Sequence, residues 1–97
     1  MLRLVTIDLA SADLPVFESF EAKVLQLVSK HGGRLEMRVR ALDNSSETHL
    51  LYFPHAQNYD AYRSDPARLA ALVEWERSGA KSTVIEVSEF PLDSGHP

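Results

Sequence analysis

Four histidines, His31, His49, His55 and His96, are the side chains of this sequence best suited to moving protons near neutral pH. No two of them stand at the i,i+4 spacing that presents paired ligands on one helix face, and the chain has no cysteine. A metal centre is therefore not expected, because such centres draw their ligands from closely spaced His and Cys. Without cysteine there is also no thiolate nucleophile and no disulfide framework. No glycine-rich phosphate loop is present, so nucleotide chemistry is disfavoured and no cofactor is expected. Proton transfer by histidine and anion binding by arginine remain.

Among the histidines, His49 is the candidate general acid or base. It stands beside Leu50 in a segment that reads as a central strand, so it needs a partner if it faces the core. Two readings stay open: a satisfied structural histidine, or a catalytic one. His31 closes a helix, where the dipole favours a partly charged imidazole, and capping is the better reading. Arg38 and Arg40 can hold a carboxylate through parallel hydrogen bonds, or form ion pairs at an interface or a solvated edge. Tyr52 has a phenol that could orient such an anion, but its parity in the strand is opposite to that of His49. The candidate site is thus catalytic His49, with Arg38 and Tyr52 as substrate ligands on the opposite sheet face.

Those residues need elements to hold them. Leu2 to Leu9 is apolar on both faces and predicts a covered central strand. Ser11 and Asp13 are N-cap candidates for a helix to about His31, with Pro15 in its first turn. Phe17, Phe20, Val24, Leu27 and Val28 give that helix its apolar stripe, and Gly32 stops it. Strict alternation over Arg34–Leu42 predicts an edge strand with Leu35, Met37, Val39 and Ala41 on one face and Arg34, Glu36, Arg38 and Arg40 on the other. A turn at Asp43–Ser46 leads into a third strand, Thr48 to Phe53, ended by Pro54. A second helical region, about 56–78, breaks at Ser64-Asp65-Pro66, where Asp65 caps and Pro66 restarts. Ser82 to Phe90 is the last strand.

The order β-α-β-β-α-β with right-handed crossovers gives a ferredoxin-like α+β fold: a four-stranded antiparallel sheet with its helices on one face. The domain is expected over residues 1–91, with a flexible tail over 92–97. Leu2, Leu4, Thr6, Arg38, Arg40, Val84 and Phe90 are expected on the open face. That is too much apolar surface for a comfortable monomer, and a homodimer through the sheet is expected.

The whole chain has 97 residues, 44% of them hydrophobic, and a net charge of −4. The charge gives no long-range attraction to nucleic acid or an anionic membrane. No stretch approaches the roughly 20 apolar residues of a bilayer span. Met1 to Asp8 does not read as a secretion signal, so a cytoplasmic location is expected.

Phe17-Glu18-Ser19-Phe20-Glu21 with Val24 and His31-Gly32-Gly33-Arg34, then Leu50-Leu51-Tyr52-Phe53-Pro54 and Tyr62-Arg63-Ser64-Asp65-Pro66, resemble a family of small bacterial proteins of unknown function in the dimeric α/β-barrel group. Arg77 falls where such proteins often carry an arginine. Where the family usually has an aromatic after the helix restart, this chain has Ala67, Arg68 and Leu69. The resemblance implies the fold and the dimer, and no established reaction. Relatives in the wider group include cofactor-free oxygenases, isomerases, dehydratases and haem enzymes, among which fold does not choose. The haem-binding relatives use a histidine from the second helix, and Pro66–Ser78 contains none. Two functions are therefore carried forward. One is a cofactor-free enzyme acting on a small acidic or phenolic metabolite; the other is a non-catalytic dimeric module for small-molecule binding or interaction.

Overall fold

The computed structural model describes residues 1–90; the expected tail lies outside the described residues. The elements follow as β1 (Leu2–Asp8), α1 (Leu14–Lys30), β2 (Arg34–Arg40), β3 (Ser46–Tyr52), α2 (Ala56–Arg63), α3 (Pro66–Ser78) and β4 (Lys81–Val87). The four strands form one antiparallel sheet in the order β2-β3-β1-β4. The two strands that read as apolar on both faces are thus the central pair.

The punctuation works as the residue types dictate. Asp13 accepts a hydrogen bond from the Val16 N–H, and Pro15 sits in the first turn of α1. Gly32 takes φ +77°, the left-handed conformation that ends the helix without a Cβ penalty. Asp65 caps α3 by accepting from the Ala67 N–H at 2.8 Å, and Gly79 closes α3 at φ +76°. Asp65 also accepts from Lys30 and pairs with His31 at 2.7 Å, which ties the end of α1 to the start of α3.

The core lies between α1 and the central strands. Phe17 and Phe53 are fully buried, and Ile7, Phe20, Val24, Val28 and Leu51 nearly so. Helix α3 rests on α1, helped by a Lys23–Glu74 ion pair, and makes no close backbone approach to the sheet among the described residues. The space left beneath it is where the site forms.

One expectation of facing is overturned. Arg38 and Arg40 pair across the strands with His49 and Glu47, and Val84 pairs with Val5, so all three lie on the helix-covered face. For the arginines the cause is an irregularity in the β2–β3 register between Leu35 and Met37. One extra residue in an edge strand reverses the facing of everything beyond it. For β4 both faces alternate equally well, and only the pairing to β1 chooses. The strand also ends at Val87, short of Phe90. The open face instead carries one wholly apolar row between two mixed ones. Met37, Leu50, Leu4 and Ile85 stand side by side across the sheet, with Val39 and Val87 in the neighbouring rows.

Candidate functional site

On β3 the side chains of Glu47, His49 and Leu51, and just past its end Phe53, point towards the helices, and all four are buried. Alternation that carries two ionisable groups into the core obliges the fold to partner them. His49 Nε2 lies 2.5 Å from Glu47 Oε2. The carboxylate can only accept, so Nε2 carries the proton. Glu47 also accepts from Arg40 Nε at 2.8 Å and from Arg38 Nε at 3.2 Å. Arg40 reaches on to Glu18 at 2.9 Å. One buried carboxylate thus receives two guanidinium groups and an imidazole.

Directly above, α1 contributes Glu21. It is only 4% exposed, and its Oε2 stands 3.6 Å from His49 Nε2 with no hydrogen-bond partner. Burial, reinforced by the negative charge of Glu47, pushes the Glu21 carboxyl up to about 7. Burial pushes His49 down, and the nearby Arg38 and Arg40 charges assist, against the pull of Glu47. His49 is therefore neutral at pH 7. Burial alone would raise Glu47, but the hydrogen bonds from His49 and Arg40 and the charge of Arg38 more than offset it. The result is a fixed carboxylate, a neutral imidazole and a carboxyl poised between its two forms. Environments that push neighbouring groups apart in this way assign acid and base roles.

A cavity of about 200 Å³ opens beside this group, between the three helices and the sheet. Phe20, Val24, Leu72, Trp75 and Val84 supply apolar walls, and Glu21, His49, Tyr62, Arg63 and Arg68 the polar atoms. The Phe20 and Trp75 rings lie 5.2 Å apart in a tilted arrangement.

Of the residues singled out in the sequence, His49 lines the cavity. Arg38 lies on the same face but is held by Glu47 and is absent from the lining. Tyr52 is on the open face, stacked under the Arg34 guanidinium at 4.2 Å. The structure thus joins Arg38 to His49 and separates both from Tyr52. Glu21 and Glu47 were missed by sequence reasoning, although a signal existed. Glu21 falls four residues after Phe17 and three before Val24, on the buried stripe of α1, and Glu47 shares the parity of His49.

Glu21, Glu47 and His49 place ligand-capable atoms within 4.8 Å of one another. Both Glu47 oxygens are already engaged by Arg38, Arg40 and His49. Two adjacent guanidinium charges oppose a dication. As arranged, Glu47 and His49 belong to a hydrogen-bonded charge network with Arg38 and Arg40, which suits a dication poorly, and Glu21 stands beside it.

No family model matches the chain, and no curated protein matches its sequence. Solved structures do. A Deinococcus radiodurans protein with a provisional assignment as an antibiotic biosynthesis monooxygenase aligns over 98% of this chain and all of its own, with a TM-score of 0.71 at 15% identity. SnoaB of Streptomyces nogalater, a cofactor-independent oxygenase, aligns over 92% of this chain and 94% of its own, with a TM-score of 0.69 at 13% identity. A protein of Agrobacterium tumefaciens aligns over 93% of this chain and 96% of its own, with a TM-score of 0.64 at 16% identity. The chain therefore has the ferredoxin-like α+β fold of these proteins, as its sequence resemblance implied. At these identities the likeness carries fold and no site residues. No helix among the described residues is long and apolar enough to cross a membrane.

Proposed function

We propose that the chain is a homodimeric enzyme that moves a proton on a small acidic or phenolic metabolite bound between its helices and sheet, without metal or organic cofactor. The observation that carries this reading is Glu21: a buried carboxyl with an unpaired oxygen, set against His49 and facing a cavity. A group that titrates near the working pH is the most effective general acid or base. In this reading Glu21 exchanges the proton with the ligand. His49, whose Nε2 proton is donated to Glu47, stands 3.6 Å from Glu21 Oε2 as a neutral polar neighbour. Arg38 and Arg40 act at one remove, by keeping Glu47 ionised.

Removing a proton from carbon or from a phenol leads to isomerisation or dehydration, or to an electron-rich anion that can itself reduce dioxygen. The structural likeness to SnoaB, a cofactor-independent oxygenase, supports the last of these without singling it out. The homodimer belongs to the same reading. A four-residue apolar row across the open face, with Ile85 56% and Met37 39% exposed, suits a second copy of that face.

The test is a thermal-shift screen of small aromatic and dicarboxylic acids on wild type, His49→Ala, Glu21→Gln and Arg38→Ala. Stabilisation of the wild type, weakened in the first two variants, supports the site. Stabilisation by divalent metals with no response to any organic compound overturns it. Ligands that bind without turnover in any variant make the chain a binding module instead.

A further inference from the structure

A second residue of the cavity lining carries a buried polar atom with nothing to bond. Arg68 Nε is buried and has no hydrogen-bond partner, and Arg68 makes no ion pair among the described residues. Its guanidinium lies over the Tyr62 ring at 5.1 Å. The Tyr62 phenol also feels the guanidinium as a hydrogen-bonding and charged neighbour, so Nε is the atom of the group left unpaired. An arginine is charged at every working pH, and burying an unpaired N–H of such a group is costly unless something arrives to accept from it. The other orphaned atom in the cavity, Glu21 Oε2, is of the opposite character. Arg3 Nη1, also without a hydrogen bond, is outside the lining and stands 2.9 Å from Glu86.

The two residues that bear these unsatisfied atoms, one a cationic donor and one a carboxyl oxygen, therefore line one apolar-walled space. A charged group with an unpaired N–H matches a carboxylate better than a neutral oxygen. A carboxyl oxygen beside neutral His49 matches a hydroxyl or an acidic C–H. The walls and the volume of about 200 Å³ suit a molecule with one six-membered ring rather than several fused ones.

We propose that the cavity takes a single-ring hydroxy-carboxylate, its carboxylate received by Arg68 and its hydroxyl hydrogen-bonded to Glu21. This rests on the reading of the cavity as a small-molecule site, and it names the ligand class and the binding residue that reading leaves open. The position of Arg68 explains the division of labour. Arg68 is on α3, across the cavity from the sheet, whereas Arg38 and Arg40 are spent on Glu47. Of the two arginines that line the cavity, Arg63 is exposed, and Arg68 carries the buried unpaired N–H.

The test is calorimetric titration of the full chain with 4-hydroxybenzoate, benzoate, phenol and 4-hydroxybenzamide, on wild type, Arg68→Met, Arg68→Lys and Glu21→Gln. The proposal expects 4-hydroxybenzoate to bind at least tenfold more tightly than phenol or the amide. Arg68→Met should abolish that preference while leaving phenol binding within about twofold, and Arg68→Lys should restore part of it. Glu21→Gln should weaken 4-hydroxybenzoate more than benzoate. Equal binding of phenol and 4-hydroxybenzoate, or a preference untouched in Arg68→Met, overturns the carboxylate assignment and leaves the small-molecule reading standing. Failure of all four compounds on wild type overturns the single-ring hydroxy-carboxylate, and the reading beneath it falls only if the wider thermal-shift screen is blank as well. The ligand-free melting temperature of each variant separates lost binding from lost folding.

Discussion

Replacing Glu21 by Gln should reshape the pH dependence of stability in a way that no surface carboxylate could. The carboxyl sits at about 7 in the folded chain, against 4.5 as its ordinary value. At about 1.4 kcal/mol per pH unit this gap is worth about 3 kcal/mol. The sign follows from which state holds the proton. Below pH 4.5 both folded and unfolded chains are protonated here, and the buried neutral carboxyl contributes in full. Between 4.5 and 7 the unfolded chain releases its proton while the folded chain keeps it, so stability falls as pH rises. Above 7 the whole contribution is gone, because the folded chain carries a buried, poorly partnered charge. Gln at this position keeps the shape and does not titrate. The difference in unfolding free energy, wild type minus Glu21→Gln, should therefore drop by about 3 kcal/mol between pH 4.5 and pH 8 in urea denaturation. His49, whose neutral form burial favours, stays neutral across the upper part of that range and cancels from the difference. A carbon-13 titration of the glutamate side chains gives the same quantity directly. A Glu21 midpoint in the ordinary carboxylate range, or a difference that does not change with pH, refutes both the burial argument and the acid–base role built on it.

Three further outcomes are expected. Glu47→Ala leaves Arg40, Arg38 and His49 without their shared acceptor and should cost about 3 kcal/mol, towards the lower end for broken buried pairs because Arg38 touches solvent; urea midpoints check it. Gly33→Ala should cost about 2–3 kcal/mol, since a Cβ there would stand 2.6 Å from the Phe53 ring and 2.7 Å from the Tyr52 carbonyl oxygen. Gly32→Ala, which meets only ordinary contacts but must hold φ +77°, should cost less, about 1 kcal/mol; the reverse ranking in a melting experiment would show that the tight approach at Gly33 is misjudged. Light scattering should give about twice the chain mass of 10.9 kDa at micromolar concentration. Leu4→Glu, at the centre of the open apolar row, should return the monomer by burying an unpartnered carboxylate at a cost of about 2 kcal/mol or more; a wild-type monomer ends the dimer reading.

How legible this molecule was depends on the kind of information each residue carries. Element type and order are local. Phe17, Phe20 and Val24 repeat at helical spacing, Asp65-Pro66 can only restart a helix, and Gly32 and Gly79 can take the left-handed turn that ends one. The central placement of β1 and β3 follows because a strand apolar on both faces must be covered on both. Facing is different, since it is cumulative. One irregularity between Leu35 and Met37 turns Arg38 and Arg40 from the open face to the helix face, and nothing in the Leu35–Val39 alternation announces it. With that reversal the pairing of Arg38 with Tyr52 gives way to a pairing of Arg38 with Glu47 and His49.

The site itself was half legible, and the half that was missed is instructive. A stripe filter that collects apolar residues passes over the one polar residue lying on the stripe. Yet Glu21 is informative because it violates the pattern that Phe17 and Val24 set. A carboxylate at a core position must be ion-paired, hydrogen-bonded or neutral. Glu21 has neither a salt bridge to a cation nor a hydrogen bond at Oε2, which leaves protonation as its route to stability and a cavity as its outlet. Glu47 and His49 violate the β3 pattern in the same way, two residues apart on the same face. Three exceptions on two elements, α1 and β3, that the βαβ crossover must bring together are far more specific than four histidines at no particular spacing. In a fold this small, the residues that break the apolar pattern where it is strongest are the ones from which the chemistry has to be built.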